Sequence, residues 1–281
     1  MIRLSPIGDA DTDRVAAFLC EQMDRPWPRD RWLSTIESPW PSVGPNRGFQ
    51  LLDGERVVGA YVAYYSEREI DGAPARVCNL GTWCVHPDYR SHGIQLVRAL
   101  LAQEGYHFTD LSPSSTVIRL NSRLGFEPLD ADRVAVPNLP WPPLPGRGTV
   151  SADPATVEQG LSGAELKLYR DHAGAAGARH LLLSQGTERC YVVVRRDTRR
   201  GMPVCTVLYV GNPDLFGRMS GTFARHLLLR HGAVAHLIDD PICPHRPWLS
   251  LRRPGSRRMY RSAHLEPSQL DYLYSELTCL P

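Results

Sequence analysis

The sequence predicts an α/β protein built from two copies of one unit. Apolar spacing alternates between the strand and helix periods along the chain, and Gly, Pro and Asp pairs mark the turns between segments. The order of elements read over residues 1–135 also recurs after residue 160 with similar landmark spacing, as an internal duplication would produce. A length of 281 residues suits two domains, each large enough to bury its own core.

Arg3-Leu4 opens a short strand. Over residues 9–24, Val15, Phe18, Leu19 and Met23 recur at helical spacing, and residues 27–38 read as a second helix with Pro26 and Pro28 near its start. Residues 48–52 and 57–66 are strands joined across Asp53-Gly54, a hairpin signal. Asp71-Gly72 turns the chain into a third strand at 76–85. Residues 93–104 form an amphipathic helix with Ile94, Leu96, Val97, Leu100 and Leu101 on one side. A strand at 106–111 and a helix at 114–124 follow, and Gly125-Phe126 closes that helix before another short strand.

Residues 136–160 read as a linker, because Pro137, Pro140, Pro142, Pro143 and Pro145 cannot continue a helix or a central strand. Trp141 gives this extended spacer an aromatic side chain able to pack on a domain. The second copy, residues 161–281, has strands at 179–184 and 190–195 across Gly186, and another at 204–210. Pro213-Asp214 then parallels Pro87-Asp88, Arg218 parallels Arg90 and Gly221 parallels Gly93, each set opening a Leu-rich helix. Residues 233–239 stand where 106–111 stood; Pro87 to Pro113 spans 26 positions and Pro213 to Pro241 spans 28. Chance likeness of two α/β halves is the alternative to duplication.

Composition bounds the function. With 42% hydrophobic and 22% charged residues, wholesale disorder, a collagen-like repeat and a coiled coil are excluded. The net charge of +2 does not imply nucleic acid, but residues 1–150 carry 15 Arg against 18 acids (net −3) and residues 151–281 carry 17 bases against 12 acids (net +5). Seven cysteines without a C-x-x-C pair argue against a disulfide scaffold. The N-terminus lacks an apolar signal region and no apolar run approaches the ~18 residues of a membrane span. The expectation is a soluble, cytoplasmic protein with no membrane partner.

The informative stretch is a strand, then His86-Pro87-Asp88-Tyr89, then Arg90-Ser91-His92-Gly93-Ile94-Gln95-Leu96 opening a helix. Glycine there permits close backbone approach, and the helix start offers unpaired N–H groups at the positive end of its dipole. Together these make an anion site suited to a pyrophosphate.

Val85, Pro87, Arg90 and Gly93 match V-x-P-x-x-R-x-x-G, and Leu124-Gly125-Phe126 follows about thirty residues on. In these residues the chain resembles the GNAT superfamily of acyl-CoA-dependent acyltransferases, over residues 1–135 directly and over 161–281 as a degenerate copy. The resemblance implies two twisted, mixed, mostly antiparallel sheets flanked by helices, the first splayed between the strand ending near Val85 and the one starting near Tyr106. It implies acyl-CoA, acetyl-CoA first among the candidates, with pantetheine pairing to the backbone of Trp83, Cys84 and Val85. The pyrophosphate would lie on the amides of Arg90, Ser91, His92, Gly93, Ile94, Gln95 and Leu96. Leu111-Ser112-Pro113-Ser114 resembles a turn of polysaccharide-cluster members of the superfamily and adds Ser112 and Ser114 to the cofactor candidates. Two positions depart from the family: Gln95 replaces a small residue, and Asn121 stands where a thiolate-protonating Tyr is often found.

Acyl transfer needs a base near the thioester. His86, at the strand end, is one candidate, with a loop role as the alternative; Glu67 and Glu69, at another strand end, match acceptor-side acids of the family or are plain hairpin residues. Asn121 completes the catalytic set. Cys84 lacks a visible base and reads as a small buried apolar residue. Cys243-Pro244-His245 lacks companion ligands at zinc spacing, so no metal is expected. Phe223 aligns with Gln95 by counting and would close the second phosphate loop, which leaves the second copy as a partner domain.

The implied activity moves an acyl group from CoA to an amine or hydroxyl of a small molecule, such as an amino sugar or natural-product intermediate. Alternatives are an aminoacyl-tRNA- or carrier-protein-dependent transferase and an inactive CoA-binding scaffold. The clusters Arg195-Arg196, Arg199-Arg200, Arg252-Arg253, Arg257-Arg258 and Arg261 are either solvated surface or a dock for an anionic partner. Nearby aromatics are only Trp248 and Tyr260, which does not support sequence-specific nucleic-acid reading.

Overall fold

Turn chemistry sets the first sheet. Asp71 and Gly72 both adopt left-handed backbone, with φ of 51° and 79°, as a two-residue hairpin turn demands. The turn lets a 15-residue strand fold back on a 13-residue one. In the computed structural model, which describes residues 1–25, 27–129, 132–142, 146, 148–240, 242–244, 247, 249–255 and 257–280, the chain forms two compact units.

The elements run β1 Ile2–Pro6, α1 Thr12–Gln22, α2 Arg29–Glu37, β2 Gly48–Asp53, β3 Arg56–Ile70, β4 Ala73–Val85, α3 Gly93–Leu101, β5 His107–Asp110, α4 Ser115–Arg123, β6 Glu127–Leu129 and β7 Asp132–Pro137. They continue with β8 Thr149–Ser151, α5 Pro154–Gln159, α6 Gly163–His172, β9 Arg179–Gln185, β10 Glu188–Arg199, β11 Met202–Val210, α7 Pro213–Arg218, α8 Ser220–His231, β12 Ala235–Asp239, β13 Leu251–Pro254, β14 Arg258–Arg261 and α9 Glu276–Cys279. A 3-10 turn at Pro87–His92 joins β4 to α3.

The first unit holds a seven-stranded sheet in the order β1-β2-β3-β4-β5-β14-β6. The second, read from its opposite end, runs β8-β9-β10-β11-β12-β7-β13. The two orders correspond strand for strand, and each sheet has one parallel junction, β4 with β5 and β11 with β12. In both, the strand beside that junction comes from the other half of the sequence: β14 pairs with β5, and β7 with β12.

This corrects the boundaries expected from chain order. Residues 132–137 and the former linker strand and helix, β8 and α5, lie in the second unit, whereas residues 258–265 and 274–280 lie in the first. A backbone ladder is filled by any strand of matching register, so element order alone does not say which sheet a strand joins. Of the linker, Pro143, Leu144 and Pro145 lie outside the described residues, as do Pro26, Pro241, His245 and Trp248.

Each unit has its own core. In the first, Leu96, Val97 and Leu100 of α3 pack with Tyr61, Cys78, Leu80 and Phe108 of the sheet. In the second, Phe223 is fully buried, with its ring edge-on to Phe216 at 4.9 Å and near His236 at 5.2 Å. The buried set of α8, Phe223, Ala224 and Leu227, repeats the phase of Leu96, Val97 and Leu100 in α3. Phe223 is therefore the counterpart of Leu96, and Thr222 that of Gln95. The expected plug of the second loop is a core residue, because matching Gly221 to Gly93 runs one position out of step with the burial phase of α8.

Candidate active site

The β4–β5 junction is short. Val77, Cys78 and Asn79 pair with His107, Phe108 and Thr109, and beyond them the strands have no further register partners. A β-bulge follows on β4: Ala63 faces Leu80 but Tyr61 faces Trp83, which leaves two β4 residues opposite one of β3. Gly81 lies in this bulge for a steric reason, since a Cβ there would stand 2.5 Å from the Tyr64 ring. Past the fork, β4 keeps its partner β3 on one side only, and every residue from 81 to 86 is partly exposed.

The loop that closes the fork is anchored. Tyr89 donates to Asp53 Oδ2 at 2.8 Å, which fixes the 3-10 turn against β2 and holds the Asp53 carboxyl below its ordinary range. The backbone N–H of His86 donates to Val58 O at 2.9 Å, continuing the β4 ladder into the turn. Arg90 and Ser91 are exposed, and the Arg90 guanidinium has no partner among the described residues.

Gly93 is buried with ordinary helical dihedrals, and a Cβ there would lie 3.4 Å from both Trp83 Cζ2 and Val85 Cγ2. Its lack of a side chain thus seats α3 against β4 rather than clearing space outside the loop. Gln95 is exposed and pairs through Nε2 with His92 Nδ1 at 3.2 Å, so two loop residues brace one another. Ile94 is half-buried and Leu96 fully buried.

Trp83 stacks on Tyr61 at 5.1 Å with the rings 9° from parallel. Cys84 is half-buried; burial and the nearby Asp24 push its thiol up to about 11, so it is protonated at neutral pH and is no ready nucleophile.

The sequence candidates for chemistry separate in space. The His86 Nδ1 accepts from the Asp88 backbone N–H at 3.4 Å and lies 3.7 Å from the Asp88 carboxylate, a local turn arrangement. Glu67 is exposed opposite Arg76, on the far side of the β4–β5 pairing from the fork, and Glu69 lies further out opposite Pro74. Asn121 is 1% exposed and donates through Nδ2 to Asp110 Oδ2 at 2.9 Å. Ser112 donates to Glu276 Oε1 at 2.7 Å, and Ser114 caps α4 by accepting from Val117 N–H at 3.4 Å. Both serine hydroxyls thus serve the protein's own groups.

Those contacts expose a feature the sequence reading missed. Asp110 is the last residue of β5, one position beyond the final β4–β5 pair, and is 4% exposed. Glu276 of α9 is 1% exposed, and its backbone N–H donates to Asn79 Oδ1 at 3.4 Å while Asn79 donates to Thr109 Oγ1 at 2.9 Å. Burial, first, and then the charge of Glu276 raise the Asp110 carboxyl to about 8. A pair of buried carboxyls thus stands at the apex of the fork and holds a proton at neutral pH. No local motif could have announced it, since Ser112 and Glu276 are 164 residues apart in sequence.

The second unit repeats the frame and closes it. Its junction pairs Val204, Cys205 and Thr206 with Ala235, His236 and Leu237, and β11 carries a bulge at Leu208. Beyond the fork, however, Val207 and Leu208 are fully buried and Val210 is 8% exposed. Tyr209 donates to Glu165 Oε1 at 3.3 Å, and Arg218, which precedes α8 as Arg90 precedes α3, is tied to Glu188 at 2.5 Å.

Two sheets with this strand order, each with one parallel junction that forks beside a bulge, decide the fold. The chain carries the GNAT fold in tandem. Solved structures agree: a GCN5-related N-acetyltransferase from Kribbella flavida superposes with a TM-score of 0.61 at 18% identity, covering 92% of this chain and 70% of that one. A GCN5-related N-acetyltransferase from Anabaena variabilis gives 0.60 at 12% identity over 93% and 72%. Saccharomyces cerevisiae N-myristoyltransferase with bound myristoyl-CoA gives 0.51 at 8% identity over 100% and 89%. Neither a protein-family model nor a curated protein matches the sequence.

Elsewhere in the GNAT pair, the basic clusters do not form one exposed patch. Arg258 is 3% exposed, Arg252 lies 3.4 Å from Asp132, and Arg195 lies 3.1 Å from Asp197. Among the described residues no group of three His, Cys, Asp or Glu is placed to hold a metal, and no helix is long and apolar enough to cross a membrane.

Proposed function

We propose that the chain is an acyltransferase that moves an acyl group from CoA to an amine or hydroxyl acceptor, using the first unit. The observation that carries the reading is the forked edge of β4: six consecutive partly exposed residues, 81–86, leading into an anchored loop whose Arg90 has no partner among the described residues. Such an edge offers backbone donors and acceptors to an extended amide-bearing arm, and the loop offers amides and a guanidinium to a pyrophosphate. The acyl-CoA bound to one structural neighbour supports the same choice of donor.

Within this reading the acceptor's lone pair attacks the thioester carbonyl carbon, the C–S bond breaks and the acceptor loses a proton. CoA departs as the thiolate, the Asp110–Glu276 pair at the fork apex takes the acceptor's proton once Asp110 is ionised, and Asn121 orients the Asp110 carboxyl through its hydrogen bond. Asn121 is then a positioning residue. Arg90 and the loop amides bind; Trp83 and Tyr61 form the wall beside the thioester. The acyl group is acetyl in the simplest form of the proposal, and the acceptor a small molecule of the amino-sugar or natural-product class.

Release of free CoA thiol from acetyl-CoA tests this directly. With a panel of amine and hydroxyl acceptors, thiol should appear at an acceptor-dependent rate, with a matching mass gain on the acceptor. Tight CoA binding with no turnover across the panel would favour a CoA-binding scaffold.

A further inference from the structure

The second unit holds a cavity of about 720 Å³ that lies away from its closed fork. One wall is α8, through Arg225, His226, Arg230 and His231; the opposite wall is Trp141 and the stretch through β8 to Asp153. That volume is ordinary for a small-molecule site.

Its charge is one-sided. Arg225 and Arg230 have no partner among the described residues. The one carboxylate in the lining, Asp153, is already engaged, accepting from the Thr156 backbone N–H at 2.8 Å and its hydroxyl at 2.7 Å to cap α5. His226 and His231 stand 5.5 Å apart, and the Nε2 atom of each is shielded from solvent without a hydrogen-bond partner among the described residues. Burial, first, holds both imidazoles below their ordinary range, His226 at about 4; the charge of His231 and Arg230 adds to this at His226, and that of Arg196 and Arg179 at His231. Two guanidiniums without a carboxylate partner in one concave lining leave it positively charged and suited to an anion. The Trp141 ring completes the site from above Gly221, where a Cβ would meet it at 3.6 Å.

We infer that this cavity is a second ligand site, for a phosphate-bearing small molecule with a planar ring, a nucleotide by class. The two arginines take the phosphates, and Trp141 stacks on the ring. The site lies wholly in the second unit.

The test is calorimetric titration of the full chain with ADP and, separately, inorganic pyrophosphate, with CoA present in excess. Both probes should bind. Arg225→Ser with Arg230→Ser should weaken both at least tenfold, and Arg230→Ser alone, at an exposed position, should weaken both in the same direction. Trp141→Ala should weaken ADP and leave pyrophosphate unchanged. No heat from either probe at millimolar concentration, or binding that survives the double substitution, overturns the site. Pyrophosphate binding without any preference for ADP overturns the planar-ring assignment.

Discussion

The two units share strand order, parallel junction and bulge, yet past the fork they differ in what fills the strand edge. In the first, Gly81 occupies the bulge and the following residues stay partly exposed; in the second, Leu208 occupies it and Val207 and Val210 join a core with Phe216, Met219 and Phe223. The arginine that precedes the helix differs too: Arg90 has no partner among the described residues, whereas Arg218 is held by Glu188. The lesson is that the two units share the backbone ladder, which any β-compatible sequence satisfies, and differ in a few side-chain volumes and one ion pair at the strand edge.

The largest expected effect concerns the carboxyl pair, which lies only in the first unit. Asp110→Asn should lower kcat by about 100-fold or more, the usual range for loss of a general base, while CoA affinity stays unchanged. In the unmodified chain kcat/KM should rise with pH through an inflection near 8, where Asp110 loses its proton. Stability carries the opposite sign. Between the ordinary carboxylate range and about pH 8 the folded chain keeps a proton that the unfolded chain releases, so this group's contribution falls as pH rises through that window. The Asn variant should lack that decline. A kcat unaffected by the substitution would remove Asp110 from the chemistry.

A smaller effect separates the two arginines. Arg90→Glu should weaken CoA binding by roughly 10- to 100-fold, since a charge-assisted hydrogen bond contributes about 1.5–3 kcal/mol. Arg218→Glu should leave CoA affinity alone and cost little stability, because its pair with Glu188 is half-exposed. If the two responses are reversed, the active copy is the second.

Much of this was readable from sequence, for local reasons. Asp53-Gly54 and Asp71-Gly72 specify hairpins, and the apolar stripe of residues 94–101 specifies α3, because turn chemistry and helical period are properties of neighbours in sequence. The 3-10 turn and helix start after Val85 were likewise legible, as a turn that opens α3. The role of Gly93 was not, since only the packed structure shows Trp83 and Val85 lying where its side chain would go. The exchange of β7 and β14 was invisible for a related reason: strand partners are chosen by register and burial, not by order. Phe223 was misassigned because matching Gly221 to Gly93 runs one position out of step with the packing of the two helices, and burial phase then decides. The Asp110–Glu276 pair needed α9 to reach the end of β5, a contact between residues that no window along the sequence contains.

Hydrogen exchange with and without CoA tests the central claim most directly, because a bound arm would pair with exposed strand backbone. The account predicts new protection at residues 81–86 and 90–96 on adding CoA, with no change at residues 207–211. Protection at 207–211 with none at 81–86 would contradict it.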